Sequence, residues 1–207
     1  MKIYASSNGL WSRPNRLRQL FKSNLEVALI PNSLDFSDDP ASRKRLNTEF
    51  KQLSALGLRP AEFDLRAFFA PGATVGPALE RFGGVWVAGG NTFVLRRAMS
   101  YSGFDQFIRH KQQTDPDFVY SAYSAGCCVL APSLKGVELM DQPELAPKGY
   151  KAEIIWEGLG IVDFSIAPHS ESNVAESRQS SDMVAYFESH GISYRTIRDG
   201  EAIIIDG

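Results

Sequence analysis

Phe118–Leu130 reads F-V-Y-S-A-Y-S-A-G-C-C-V-L. A short apolar run, Phe118–Tyr120, leads into small residues, reaches Ser124, passes Ala125–Gly126 and enters a second apolar run able to start a buried helix. A serine at a sharp strand-to-helix turn presents its hydroxyl instead of packing it, and small neighbours let the turn close. The amides that open the helix face any oxyanion formed there. This is the pattern of a nucleophile elbow with one change: Ala122 replaces the first glycine of G-x-S-x-G. A purely structural strand–helix turn would read the same way.

Upstream, apolar runs alternate with amphipathic stretches. Strands are expected at Lys2–Ser6, Glu26–Pro31, Glu62–Leu65, Gly84–Ala88 and Phe118–Tyr120. Helices are expected at Asn15–Ser23, Ser42–Leu56, Pro77–Phe82, Thr92–Tyr101 and Phe104–Gln113. Downstream, Gly136–Met140, Ile154–Trp156 and Ser165–Ala167 look strand-like. A helix at Asp182–His190 follows, then strands Ser193–Arg198 and Ala202–Ile205, paired as a hairpin through the Asp199–Gly200 turn signal. The alternation predicts one α/β domain over residues 1–207, with a mostly parallel sheet covered by helices on both faces.

The 207 residues are 43% hydrophobic and 22% charged, with net charge −2. That balance gives no general affinity for nucleic acid or an anionic membrane. No run reaches the ~18 apolar residues of a spanning helix, and Met1–Ser6 enters a strand pattern with no leader signature. The adjacent Cys127 and Cys128 read as reduced, buried thiols, which suits a cytoplasm. With no H-E-x-x-H, C-x-x-C, phosphate-loop or dinucleotide glycine pattern, neither metal nor cofactor is expected.

In open α/β sheets, ligands sit beyond the carboxyl ends of the strands. Three such loops carry chemistry. Ala88–Thr92 (A-G-G-N-T) brings two glycines that allow close backbone approach, and Asn91, able to cap the next helix or to donate to a substrate. The second loop holds Ser124. The third, I-A-P-H-S-E-S, holds His169. Of the other histidines, His110 lies in a charged R-H-K stretch and His190 ends a helix before Gly191, leaving His169 as the candidate base. Its second ring nitrogen needs an acceptor; Glu171, Glu176, Asp199 and Glu201 are the options.

Taken in order, V-W-V-A-G-G-N-T-F-V-L (Val85–Leu95), Y-S-A-G (Tyr123–Gly126) and G-L-G-I-V-D-F-S-I-A-P-H (Gly158–His169) resemble the dipeptidase E (aspartyl dipeptidase) family, which also includes cyanophycinases. The resemblance covers nearly the whole chain. It implies a serine peptidase on a flavodoxin-like fold similar to class I glutamine amidotransferases. Ser124 would be the nucleophile and His169 the base. The family's C-terminal glutamate falls on I-R-D-G-E (Ile197–Glu201), where Asp199 takes its place and Glu201 stays open.

The resemblance also implies oxyanion donors at the Gly90 and Ala125 amides, with Asp141 as partner of a substrate amino group. Substrates would be small peptides, above all dipeptides with N-terminal aspartate, cleaved without a cofactor. Such a substrate needs a cation; among Arg13, Arg16, Arg96 and Arg178 the choice falls on Arg178, nine residues beyond His169. Other readings are a cyanophycinase-like hydrolase, a catalytically silent peptide or amino-acid binding module, and a thiol amidotransferase-like enzyme using Cys127. The oligomeric state, monomer or homodimer, is open.

Overall fold

A computed structural model describes residues 1–11 and 13–206. Strands β1 (Lys2–Ser6), β2 (Glu26–Ile30), β3 (Arg59–Glu62), β4 (Gly84–Val87) and β5 (Val119–Tyr123) are parallel in the order β3-β2-β4-β5-β1. A last strand, β8 (Ala202–Ile205), closes the β1 edge antiparallel, with Ser6 opposite Ala202. The helices are α1 (Pro14–Leu20), α2 (Pro40–Ala55), α3 (Gly76–Leu79), α4 (Thr92–Ser102), α5 (Phe104–Thr114), α6 (Ala125–Cys128) and α7 (Glu176–Ser189).

Strand side chains alternate between two cores, as a sheet buried on both faces requires. Ile3, Ala28, Val85, Val87 and Tyr120 pack with Leu95 and Met99 of α4 and Phe104 and Ile108 of α5. Tyr4, Val27, Leu29, Trp86 and Tyr123 pack on the other face with Leu17 of α1 and Leu46 and Leu53 of α2. The expected α/β architecture with a mostly parallel, doubly covered sheet is what forms. Among the described residues, no helix is long and apolar enough to cross a membrane.

Four expectations fail locally. The third strand begins at Arg59 instead of Glu62, and Leu65–Phe68 is a 3-10 turn. Pro60 is tolerated because β3 is an edge strand paired only to β2. Gly136–Met140 is not a strand; it holds a 3-10 turn, Val137–Leu139, entered through Gly136 at φ 95°. Ile154–Trp156 joins no strand either. The guanidinium of the buried Arg97 takes the nearby carbonyls, donating to Glu153 O at 2.7 Å, Pro143 O at 2.8 Å, Leu145 O at 3.1 Å and Ala152 O at 3.2 Å. The Trp156 carbonyl takes the Leu134 N–H at 2.7 Å, and pairing here goes no further than an isolated antiparallel bridge between Ser133 and Glu157.

The closing hairpin is also wrong. Strand β7 (Tyr194–Thr196) pairs in parallel with β6 (Ser165–Ala167) as a separate two-stranded sheet, while β8 joins β1. The turn at Asp199–Gly200 exists, with Glu201 N–H bonded to Arg198 O at 2.9 Å, but it connects two sheets. Free edges on β6 and β1 out-compete local pairing. The result sets Asp199 between the two sheets.

Candidate active site

Ser124 stands between β5 and α6 with φ 48° and ψ −116°. A non-glycine residue held there signals a turn over-determined by its surroundings. The clamp is visible. Ser124 N–H donates to Ser6 O at 3.2 Å, and the Cys127 and Cys128 amides return to Ser124 O at 2.8 and 3.1 Å. Gly126 is required: a Cβ there would lie 2.7 Å from Val87 O and 2.9 Å from the Ala122 Cβ. Alanine at 122 is therefore accommodated because 126 has no side chain. The elbow helix is a single turn, and beyond it the chain leaves for the Arg97-held loop.

His169 follows β6 at φ 59° and is 7% exposed. Its Nε2 lies 3.2 Å from Ser124 Oγ and its Nδ1 3.0 Å from Asp199 Oδ1. None of the other three acids has a hydrogen bond to the imidazole among the described residues. Glu171 is exposed and paired with Arg198, Glu201 accepts from the Arg198 N–H at 3.2 Å, and Glu176 lies at the start of α7. Ser172 Oγ accepts the Asp199 N–H at 3.0 Å. His110 is exposed, and His190 stacks on Tyr186 at 4.0 Å, also exposed.

Ser7, which the sequence did not single out, is fully buried at the end of β1. Its Oγ donates to Asp199 Oδ1 at 2.6 Å and accepts the His169 N–H at 2.7 Å. The only signal in the sequence was a small polar residue just past the first strand, on the carboxyl side where the site forms.

The Gly90 and Ala125 amides have no backbone acceptor among the described residues; Gly90 lines the cleft, and Ala125 directly follows Ser124, which also lines it. Ser33 braces the glycine loop: its Oγ donates to Ala88 O and Gly89 O at 2.8 and 3.0 Å, and its carbonyl accepts the Asn91 N–H at 2.8 Å. Asn91 caps α4, its Oδ1 accepting the Phe93 and Val94 amides at 3.0 and 2.9 Å, while Nδ2 donates to Gln142 O at 3.0 Å. Of its two readings the cap is the one realised, and it ties α4 to the loop bearing Asp141. The Asp141 carboxylate accepts from Thr92 N–H at 2.8 Å and Thr92 Oγ1 at 2.5 Å. Burial pushes its pKa up to about 6, against the pull of Thr92 and of His169.

A cleft of about 340 Å³ brings together Ser124, His169, Gly89, Gly90, Asp141, Glu176 and Arg45. Arg178 is not part of it; it is exposed on α7. Arg96 is buried against Asp105 at 3.2 Å, and Arg13 and Arg16 do not line the cleft. The cation present is Arg45 of α2, hidden in the sequence among the charges of an amphipathic helix. Its guanidinium lies 5.2 Å over the Tyr123 ring and donates to Asn8 Oδ1 at 3.2 Å. Beneath it, Glu49 accepts from Trp86 Nε1 and Tyr123 OH, both at 2.7 Å. Burial raises the Glu49 pKa, and those two donors and Arg45 oppose the rise.

Both cysteines are free and fully buried, with burial pushing their thiols well up. Cys127 Sγ donates to Ser6 O and Cys128 Sγ to Ile166 O. They pack the elbow and are in no state to act as nucleophiles. Among the described residues, no cluster of His, Cys, Asp and Glu could hold a metal ion.

The chain is similar to several known proteins. An uncharacterized peptidase of Listeria innocua is 27% identical over 157 residues, 75% of this chain and 69% of that protein. Another from Listeria monocytogenes is 29% identical over 119 residues, 58% of this chain and 54% of its own. In fold, the chain superposes on a Listeria monocytogenes protein provisionally named peptidase E (TM-score 0.78, 24% identity, 99% of this chain and 93% of that one). It also superposes on a peptidase from an acI-B1 Actinobacterium (TM-score 0.68, 13% identity, 99% and 82%). The model of peptidase family S51 matches residues 7–207, a span holding the elbow, the histidine loop and the closing turn; the chain belongs to that family and is a serine-type peptide hydrolase.

Proposed function

We propose that this enzyme is a dipeptidase acting on small peptides with N-terminal aspartate, through a Ser124–His169–Asp199 triad and an acyl-enzyme. The observation that carries the reading is the single imidazole within hydrogen-bond reach of a strained serine on one side (3.2 Å) and a carboxylate on the other (3.0 Å). With Nδ1–H directed at Asp199, Nε2 is left to take the Ser124 proton as Oγ attacks the scissile carbonyl. The oxyanion falls to the Gly90 and Ala125 amides, donors worth roughly 3 kcal/mol each in comparable sites. His169 then gives its proton to the leaving amine and activates the water that clears the acyl-enzyme.

Substrate selection follows from the charges around the cleft. Asp141 receives the free amino group, and Arg45 takes the part expected of Arg178, receiving the aspartate side chain. A volume of about 340 Å³ is near the lower end of the ~300–1,000 Å³ range of ligand pockets and suits a small peptide better than a branched polymer. The two free thiols fit a cytoplasmic setting.

The test is hydrolysis of Asp-Leu beside Glu-Leu, Asn-Leu and Ala-Leu by wild type and Ser124→Ala. Cleavage of Asp-Leu alone, lost by about 10⁵-fold or more in the variant, is expected. Cleavage of the others but not Asp-Leu would retain the mechanism and discard the specificity. Undiminished turnover by Ser124→Ala would end the triad reading.

A further inference from the structure

We infer that Ser7 is a positioning residue of the catalytic machinery, a fourth member that acts on His169 through Asp199. The inference rests on the triad reading above. Three chain segments that share no local sequence meet at its hydroxyl: the end of β1, the loop after β6 and the turn before β8. The Oγ hydrogen goes to Asp199 Oδ1 at 2.6 Å, the same oxygen that faces His169 Nδ1 at 3.0 Å. A lone pair of Oγ takes the His169 N–H at 2.7 Å. Ser7 Oγ also lies 3.4 Å from Nδ1, farther than the Asp199 carboxylate at 3.0 Å, a closer and charged acceptor for the Nδ1–H.

Each of these bonds does something the triad needs. The Asp199 side chain is 24% exposed, so a carboxylate on a turn is open to water and to rotation about its last torsion. A second donor on Oδ1 fixes which oxygen meets the imidazole. The bond to the His169 amide holds a non-glycine residue at φ 59°, a conformation that is unfavourable for a residue with a side chain and persists only where its surroundings enforce it. Ser7 is fully buried and lies outside the residues lining the cleft, so its part is played through Asp199 and His169. The register supplies the reason for its place: Ser6 is opposite Ala202, so the residue that follows β1 meets the turn that carries Asp199.

The experiment measures turnover of the best dipeptide and, separately, the rate at which diisopropyl fluorophosphate labels Ser124, a readout independent of substrate choice. Ser7→Ala should lower kcat and the labelling rate about 10- to 100-fold, the scale of a slight misplacement of a catalytic group, with KM within twofold; a lower thermal midpoint is expected as well, because a buried hydroxyl with two hydrogen bonds is lost. In an Asp199→Asn background the same substitution should cost almost nothing more, because residues acting as one unit are non-additive. Ser7→Cys, similar in size with a weaker donor, should fall between and serves if Ser7→Ala does not fold. Unchanged kcat and labelling in the Ser7 variants, or an equal penalty in the Asp199→Asn background, would overturn the inference while leaving the triad standing. A wild type that takes no label would sink both.

Discussion

The proposed nucleophile and its proposed base are held by opposite means. Ser124 sits just past β5, one of the two central strands of the main sheet, its backbone wedged by contacts that leave no room: Gly126 against Val87 O and Ala122, the Ser124 amide on Ser6 O, two buried thiols behind it. His169 and Asp199 hang from the ends of three-residue strands in a two-stranded side sheet. They are fixed by a handful of side-chain hydrogen bonds from Ser7 and Ser172. Packing sets one half of the machinery and polar contacts the other. Changes on the first side should therefore damage the fold and the reaction together, whereas changes on the second should damage the reaction more than the fold.

The sharpest separation is expected at Asp199. Asp199→Asn keeps the shape but offers the imidazole a poorer partner and the wrong tautomer, and kcat should fall about 10⁴-fold, as in comparable triads. The denaturation midpoint should hardly move. Glu201→Gln, two residues away and exposed, should leave kcat within twofold. If Glu201→Gln proved the damaging change, the assignment of the acid would pass to Glu201.

On the packed side, Gly126→Ala puts a methyl within 3 Å of strand backbone and of another Cβ. Such overpacking should cost about 1–3 kcal/mol of stability, read by urea denaturation, together with a loss of activity from a displaced elbow. Activity lost with stability intact would mean that the elbow yields more easily than its contacts indicate.

The same contrast explains what was legible in the sequence. Strands β1, β2, β4 and β5 and the elbow show as apolar runs because they are buried on both faces. Ser124 and His169 follow from their place at strand ends. Ser7 and Arg45 do not show. A serine after a strand and an arginine on a charged helix face look like any other, and their meaning comes from residues far away in the chain. Ile154–Trp156 misleads for a related reason: its apolar pattern is that of a strand, yet the neighbouring carbonyls are claimed by Arg97, 56 positions from Glu153. The D-G turn is real, but pairing with β6 and β1 overrides the hairpin it advertises.

Arg45 tests whether the cleft reads charge. Arg45→Gln should raise KM for Asp-Leu about 10- to 100-fold, the worth of one charge-assisted hydrogen bond, and leave Ala-Leu unaffected. The packing of Arg45 over Tyr123 makes a modest stability loss expected as well. An equal rise in KM for both peptides would assign Arg45 to the cleft wall and not to specificity.

The smallest effect, at Asp141, has a sign that distinguishes function from fold. Burial lifts its pKa from the ordinary 3.8 to about 6. Between those values the folded protein holds a proton that the unfolded chain has released, so at this residue stability falls as pH rises from about 4 through 6. Above that, the buried carboxylate is a standing cost, and its negative charge is what a substrate amino group would meet. Asp141→Asn should thus stabilise the enzyme at pH 7.5 while raising KM about tenfold, the gain in stability fading as pH falls below 6 and vanishing near 4. Urea denaturation at pH 4, 6 and 7.5, set beside KM at pH 7.5, reads both. A variant less stable than wild type at pH 7.5 would show that the hydrogen bonds from Thr92 outweigh the burial of the charge. Asp141 would then belong with the packed half of the site, and the stability it costs would no longer mark it as a group kept for substrate.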